Sequence, residues 1–381
     1  MKVDGDWIAD PAAQAVCRNL EEAGHHALFV GGCVRNALLG MPVTDIDIAT
    51  DARPETVIRL ARESGLRAVP TGIEHGTVTV VADGRGHEVT TFRRDVETDG
   101  RRAVVAYADT PQEDAHRRDF TMNALYARRD GTILDPLGGL ADLNARRVRF
   151  IDDPDQRIRE DYLRILRFFR FHAWYGAPGS GLDAEGLAAV ACHVDGLAGL
   201  ARERVGTEMI KLLSAPDPAP AVAAMRHASV LSRILPGADD AALAPLVHEE
   251  VQAGTAPDPI RRLAALGGAE AAARLRLSKV QGRRLTLLRD AVGSTMPPAE
   301  LGYRYGAQAG MDILLLRAAL LRTPVPAGAA AELDRGAAAI FPVTGKDLMP
   351  DYSGPELGAR LAELERRWIE SDFSLTREAL L

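Results

Sequence analysis

Two aspartates, Asp45 and Asp47, are separated by a single residue in an apolar segment and give the chain its clearest chemical signal. Successive side chains of a β-strand point to opposite faces, so this spacing predicts both carboxylates on one face of a strand, about 7 Å apart. Carboxylates in that arrangement can share divalent cations. Such pairs also occur by chance on surface strands and turns, so the spacing alone indicates only a candidate metal site.

A pair of glycines precedes these acids. Gly31 and Gly32 follow the apolar run 28–30, and a short helix-like segment that carries Arg35 comes next. Glycines remove side chains where the backbone has to come close to a triphosphate. A Gly-Gly pair by itself indicates only a tight turn. The order of apolar strand, glycines, arginine and acidic strand favours a site of nucleotidyl transfer.

A second polar group is formed by Arg117, Arg118, Asp119 and Asn123. Arginines offer rigid forks of donors for phosphates, an aspartate can accept from a ribose hydroxyl, and an asparagine can donate or accept. In isolation the string equally indicates a charged helix terminus that Asp119 caps. Its position downstream of the acidic pair favours nucleotide binding.

A third group, with Asp161, Arg164 and Arg167, lies in a segment of helical periodicity. The spacing predicts that Asp161 and Arg164 share one helix face, where a carboxylate acceptor and a guanidinium donor match the edge that cytosine and adenine present. Guanine and uracil would place a carbonyl against Asp161, at a cost of about 1–3 kcal/mol. The alternative is a surface salt bridge between the two residues. Arg167 is predicted to bind nucleotide with them.

A further carboxylate, Glu88, lies in the β-rich run 87–92. It is a candidate third catalytic acid beside Asp45 and Asp47. A solvated position on the strand is an equally good interpretation.

The strings LFVGGCVRNALLG, TDIDIAT, RRDFTMNALY, DPLGGLADL and EDYLRILR follow one another in this order. Together they resemble the motifs of the class II tRNA nucleotidyltransferase and bacterial poly(A) polymerase family. One position departs from the family pattern, because Asn36 stands where an aspartate is usual. Asparagine keeps the hydrogen-bonding capacity and loses the charge, so a supporting role is expected for Asn36 rather than a metal ligand.

The resemblance implies an enzyme that adds or repairs the 3′-terminal CCA of tRNA from CTP and ATP, releases pyrophosphate and needs no nucleic-acid template. It implies Mg²⁺ at Asp45 and Asp47, arginines that steady the triphosphate, and a protein template at Asp161 and Arg164. The interval 93–116 corresponds to a flexible loop of members that add the terminal A, although an ordinary hairpin is the alternative. A bacterial poly(A) polymerase and a non-catalytic RNA-binding scaffold of the same fold are the rival functions.

Strand-like and helix-like segments alternate up to about residue 145, and amphipathic helices rich in Ala, Leu and Arg follow. The pattern predicts an α+β fold, in which a nucleotidyltransferase head with a small mixed β-sheet and helices precedes an all-α neck, body and tail. The predicted domains are the catalytic head, 1–145, the neck with the base-selecting helix, 146–213, and a body and tail that bind the tRNA acceptor arm, 214–381. The string DPLGGLADL is expected to be structural.

The 381 residues carry a formal net charge of −7, which neither favours bulk nucleic-acid binding nor excludes a local arginine-lined groove. The three cysteines lack the paired spacing of a zinc site, which predicts a reduced, cytoplasmic protein. No signal peptide and no apolar run of membrane-spanning length is recognised, so a soluble protein is expected. No protein partner is implied.

Overall fold

The computed structural model describes residues 1–99 and 102–381. These residues form two compact units, Met1–Pro236 and Gly237–Leu381. The predicted domain limits after residues 145 and 213 stay predictions, whereas the division by contacts falls after residue 236. Residues 146–236 therefore belong to the same compact unit as the head, which is where the candidate site lies.

The sheet of the first unit is mixed, as predicted. In the described ranges the strands are β1 Leu28–Val30, β2 Asp47–Thr50, β3 Arg67–Gly72, β4 Thr77–Ala82, β5 Arg85–Thr91, β6 Arg93–Asp99, β7 Arg102–Tyr107, β8 Tyr126–Ala127 and β9 Ile133–Leu134. Seven of them form one sheet in the order β3-β4-β5-β2-β1-β8-β9. β2 and β5 run parallel, and the other neighbours are antiparallel. The parallel pair sets two acidic residues side by side, as described below.

The strands β6 and β7 pair with each other as a separate antiparallel hairpin. A hairpin, which was the alternative interpretation of the interval 93–116, is therefore present, and α4 (Pro111–His116) completes the interval. Residues 100 and 101, which belong to the predicted flexible loop, lie outside the described residues. The role of this interval in adding the terminal A stays a prediction.

The helices of the first unit surround the sheet and continue into the neck. They are α1 Pro11–Glu22, α2 Gly32–Leu38, α3 Pro54–Glu63, α4, α5 Gly139–Asn144, α6 Pro154–Glu160, α7 Leu163–Tyr175, α8 Ala184–His193, α9 Arg202–Leu213, α10 Ala219–His227 and α11 Val230–Ile234. Proline opens several of them, because its missing N–H has no partner in the first turn anyway. Asp10 caps α1 by accepting the N–H of Ala13 at 3.1 Å.

An aromatic cluster joins the head to helix α7. The ring of Phe120, from the head, lies 5.0 Å from that of Phe150 and 5.0 Å from that of Phe171, measured between centroids. The rings of Phe150 and Phe168 are 5.3 Å apart. All four side chains are buried. Because interiors of this kind are close-packed, α7 is held in a defined position against the head.

The turn that contains Gly139 also holds the head in place, as expected for DPLGGLADL. The carboxylate of Asp135 accepts the N–H groups of Gly139 at 2.7 Å and Leu140 at 3.0 Å, and so caps α5. A Cβ at Gly139 would lie 2.2 Å from the backbone oxygen of Thr121. A glycine is therefore required where α5 packs on the segment that carries Asn123.

The second unit is helical in its described residues, as predicted. Its helices are α12 Leu243–Gln252, α13 Pro259–Leu266, α14 Ala271–Arg274, α15 Lys279–Val292, α16 Pro298–Tyr305, α17 Ala307–Leu321, α18 Ala329–Ala338, α19 Gly354–Glu370 and α20 Arg377–Leu380. A buried ion network ties three of them together: Arg261 contacts both Glu250 and Asp312 at 2.7 Å. Among the described helices, none is long and apolar enough to cross a membrane.

Candidate active site

A cavity of about 420 Å³ opens in the first unit, between the head and the neck helices. It brings together every predicted site residue except Asp45 and Glu88. Its lining consists of Gly31, Gly32, Arg35, Asp47, Arg117, Arg118, Asp119, Asn123, Asp161, Leu163, Arg164, Arg167, Phe171 and Arg204. Arginines predominate among the charged side chains of the lining, so the cavity suits a polyanionic ligand.

Gly31 and Gly32 lie in the cavity wall where β1 passes into α2. Gly31 has a φ of +71°, which L side chains rarely adopt, and a Cβ there would lie 3.4 Å from Nη1 of Arg118. The glycine therefore lets the backbone of the turn approach an arginine that itself faces the cavity. The approach to a triphosphate that the sequence predicted stays a prediction.

Arg35 is buried, with only 6 % of its surface exposed, and its guanidinium is held from several sides. Nη1 donates to Oδ1 of Asn123, and Nη2 donates to the hydroxyl of Tyr175 at 2.7 Å. Oδ1 of Asn36 accepts from Nε at 3.2 Å and from Nη2 at 2.9 Å. Asn36 therefore contacts Arg35, and its supporting role in nucleotide binding stays a prediction.

Arg117 and Arg118 are both held by one buried carboxylate, Asp114, at 2.8 Å each. The hydroxyl of Tyr126 donates to the same carboxylate at 2.8 Å. Burial opposes ionisation of Asp114, but the two guanidinium groups hold its pKa well below the usual range. The sequence interpretation missed Asp114. Its spacing of three and four residues before the arginines on α4 is the signal that could have found it.

Asp119 is buried and makes hydrogen bonds through both oxygens. Oδ1 accepts the N–H of Phe120 at 2.8 Å and the amide of Asn123 at 2.9 Å, and Oδ2 accepts from Nε of Arg167 at 2.7 Å. Burial raises the pKa of Asp119, but Arg167 and Asn123 outweigh it and hold the pKa at about 2. Asp119 is therefore an anion that links the head to α7. Its contact with a ribose hydroxyl stays a prediction.

The predicted continuous helix across residues 161 and 164 is interrupted. α6 ends at Glu160, Asp161 has an extended backbone with φ −155° and ψ 104°, and α7 begins at Leu163. The prediction that Asp161 and Arg164 share a helix face is wrong, because Asp161 lies outside both helices and its side chain accepts the N–H of Leu163 at 3.1 Å. Both side chains nevertheless line the cavity.

Asp161 and Arg164 have protein partners that hold them at the cavity. Oδ2 of Asp161 accepts from Nη2 of Arg204 at 2.6 Å. Arg164 contacts the carboxylate of Glu160, and its Nη2 donates to the backbone oxygen of Arg117 at 3.1 Å. Arg204, in α9, was not among the predicted site residues, because nothing local to residue 204 indicates its contact with residue 161.

The carboxylates of the predicted metal site lie at the start of β2. The strand begins at Asp47, so Asp45 precedes it and the strand alternation used to align the two acids does not apply. Glu88 stands directly beside Asp47 in the register of the parallel strands β2 and β5, which puts both side chains on one face. Partial burial and the neighbouring Glu88 and Asp45 raise the pKa of Asp47.

Oxygen donors of this kind fit a hard divalent cation. Within residues 1–99 and 102–381, the carboxylate of Asp47 makes no hydrogen bond, and no group of three or more acidic, histidine or cysteine side chains is arranged to hold a metal. Burial is the largest cause of the raised pKa of Asp47 and the neighbouring Glu88 adds to it, and a bound cation would offset both.

The fold and the cavity define a nucleotidyltransferase head joined to a helical part. Residues 27–149 match the family described as "Poly A polymerase head domain", and residues 182–242 match "Probable RNA and SrmB- binding site of polymerase A". The first match lies within the first unit, and the second begins in that unit and extends past its last residue, Pro236. They cover the sheet, the glycine pair, Asp47 and the residues of the second polar group.

Proteins of similar sequence show which family within this class the chain belongs to. The chain is 33% identical over 374 residues to the mitochondrial CCA tRNA nucleotidyltransferase 1 of Mus musculus, covering 94% of this chain and 86% of the relative. It is 43% identical over 208 residues to the CCA-adding enzyme of Levilactobacillus brevis, but that match spans only 51% of the relative and 54% of this chain. The chain belongs to the tRNA nucleotidyltransferase and poly(A) polymerase family.

Solved structures agree with this membership. The CCA-adding enzyme of Bacillus stearothermophilus in complex with CTP superposes with a TM-score of 0.76, at 29% identity, over 95% of this chain and 93% of that chain. The Thermotoga maritima CCA-adding enzyme complexed with tRNA has a TM-score of 0.69 at 17% identity, and it supports the fold alone.

Proposed function

We propose that the protein adds or repairs the 3′-terminal CCA of tRNA, using CTP and ATP with release of pyrophosphate and without a nucleic-acid template. One observation carries the proposal: Arg117 and Arg118, suited to phosphates, line the same cavity as Asp161 and Arg164, suited to a base edge. The relatives named CCA tRNA nucleotidyltransferase and CCA-adding enzyme support it.

The phosphate-binding arginines are oriented before any nucleotide enters. Asp114 forms ion pairs with both guanidinium groups. The neck holds their backbone, because Arg157 donates to the oxygen of Arg118 at 3.0 Å and Arg164 donates to that of Arg117 at 3.1 Å. Preorganised donors of this kind stabilise developing charge without reorganisation during the reaction. In this proposal they orient the α-phosphate and the leaving pyrophosphate.

Base selection falls to Asp161 and Arg164. Each carboxylate oxygen has a second lone pair beyond the one that Leu163 or Arg204 uses, so Asp161 can still accept from the amino group of cytosine or adenine. Arg164 keeps N–H groups for the neighbouring ring acceptor. Arg204 and the N–H of Leu163 hold the carboxylate of Asp161 in place. Guanine or uracil, which has a carbonyl where cytosine and adenine have the amino group, would therefore set one acceptor against another that cannot move away.

Enzymes of this class depend on metal ions, and we propose Mg²⁺ held by Asp45 and Asp47, with Glu88 as a third carboxylate. When bound, such an ion lowers the pKa of the tRNA 3′-hydroxyl and neutralises the leaving group. The raised pKa of Asp47 supports this assignment, because a carboxylate crowded by others gains most from a cation.

The acceptor is proposed to be the acceptor arm of tRNA, gripped by the helical residues from the neck onward. The match of residues 182–242 to an RNA-binding segment supports this part of the proposal. Arginine-rich helices recognise such an arm through its shape and backbone charge rather than through its sequence.

The test is nucleotide incorporation into a tRNA that lacks its three terminal nucleotides, with Mg²⁺ present. The proposal predicts two added nucleotides with CTP alone, three with CTP and ATP, and none with GTP or UTP. Long tails with ATP alone would establish the rival poly(A) polymerase. No incorporation under any condition, despite RNA binding, would establish the non-catalytic scaffold.

A further inference from the structure

One face of helix α7 contacts the cavity along most of its length. Arg164, Arg167, Phe171 and Tyr175 follow one another at intervals of three, four and four residues, which places them on a single helix face. Three of them line the cavity. Tyr175, at the far end, is buried with 8 % of its surface exposed. The helix that begins at the proposed base-selecting residues therefore ends at a buried tyrosine.

Tyr175 contacts Arg35 of the head, which lies 140 residues earlier in the chain. Its hydroxyl accepts from Nη2 of Arg35 at 2.7 Å, and Cζ of Arg35 lies 4.0 Å from the centre of its ring. The ring of Phe171 supports the same guanidinium at 5.2 Å. A guanidinium that lies over an aromatic ring and donates to a hydroxyl is fixed in both tilt and rotation.

These contacts continue from Arg35 through the cavity wall and back to α7. Arg35 donates to Asn123, Asn123 donates to Asp119, and Asp119 accepts from Arg167, which lies back on α7. Tyr175 and Arg167 are eight residues apart, about 12 Å along the helix. Tyr175 and Arg167, the first and last residues of this series of contacts, therefore lie on one helix. The head residues between them form the cavity wall next to Gly32, where an added Cβ would lie 3.8 Å from Nη2 of Arg35.

We propose that Tyr175 is a positioning residue for nucleotide binding. Its hydroxyl and ring set the orientation of Arg35, and through Arg35 they set Asn123 and the wall beside the glycine pair. The inference rests on the proposed function and adds a residue to its machinery. Because Arg35 bonds to Asn36, Asn123 and Tyr175, and to neither Asp161 nor Arg164 among the described residues, we expect its effect on the part of the nucleotide that CTP and ATP share. Tyr175 therefore affects affinity for both nucleotides equally and leaves the choice of base unchanged.

The test is Tyr175→Phe, which keeps the ring and removes the hydroxyl acceptor of a charged donor. The expected result is a loss of about 5- to 20-fold in affinity for CTP and for ATP by the same factor, and an equal loss in kcat/KM. The melting temperature is expected to fall by a few degrees, because the buried guanidinium of Arg35 loses one acceptor. Tyr162→Phe is the matched control, because the Tyr162 hydroxyl makes no hydrogen bond in the described part of the chain, and it should leave both affinities unchanged.

A double variant separates positioning from a general structural role. If Tyr175 acts through Arg35, then Tyr175→Phe adds little to the loss already caused by Arg35→Lys, whereas independent structural effects add fully. Wild-type affinities in Tyr175→Phe, full additivity in the double variant, or a changed ratio of CTP to ATP affinity would each overturn the inference. If the wild type binds nucleotides but adds none to tRNA, the proposed function fails while the affinity comparison still decides the role of Tyr175.

Discussion

The buried link between Asp119 and Arg167 gives a prediction whose size follows from the structure. Asp119 has a pKa of about 2, below its ordinary value of 3.8, although it is only 8 % exposed. A pKa lowered to that value corresponds to about 2 kcal/mol of folded-state stabilisation by the ionised form. Asp119→Asn removes that charge and sets one amide donor against another, so the unfolding free energy at pH 7 should fall by about 2–3 kcal/mol.

The contribution of Asp119 to the unfolding free energy changes with pH in a defined direction. A lowered pKa means that the contribution of Asp119 is complete above pH 4 and is lost as the pH falls from about 4 towards 2. The difference between wild type and Asp119→Asn should therefore be constant between pH 5 and 8 and should shrink below pH 4. Urea denaturation at pH 7 and pH 3 measures it. Hydrogen exchange of the α7 amides assigns the loss to the first unit.

Asp83→Asn is the matched control, because Asp83 is exposed in the turn after β4 and has a positive φ that asparagine tolerates. It should leave the unfolding free energy unchanged. If Asp119→Asn is as stable as Asp83→Asn at pH 7, or if its deficit is as large at pH 3 as at pH 7, then the proposed ionic link between the head and α7 is refuted.

The remaining predictions concern the chemistry. Asp47→Asn should lower the turnover number at least about 100-fold in a CTP incorporation assay, because the crowded carboxylate is assigned to the metal; normal turnover would refute that role. Arg164→Ala should reduce discrimination of CTP against UTP about 10-fold or more in a competition assay, since it removes a donor to the base edge. Unchanged discrimination by that variant would refute the protein template.

Local patterns were sufficient for much of the head. Proline stands in the first turn of both α1 and α3, and at α1 the side chain of Asp10 also caps the helix. The β-rich run 87–92 predicted a strand that carries Glu88, and β5 is that strand. Its register beside Asp47 depends on a parallel pairing between segments about 40 residues apart, which local propensity does not encode.

The misjudged and missed parts of the site have a common physical cause. Helical periodicity continues through residues 160–167, so the break at Asp161 is invisible locally and arises because Leu163 and Arg204 satisfy its carboxylate. Tyr175 reads as one more apolar residue of an amphipathic helix. Its importance comes from a buried guanidinium 140 residues away, and only the packing of α7 on the head brings the two together.

The central proposal is most directly tested by the product formed when all four nucleoside triphosphates compete at equal concentration. The wild type, a tRNA lacking its CCA end and Mg²⁺ are incubated together, and the 3′ ends of the products are sequenced. We expect C-C-A in nearly every extended molecule and no addition beyond the third nucleotide. Tails of adenosine, frequent G or U, or unextended tRNA throughout would contradict the proposal.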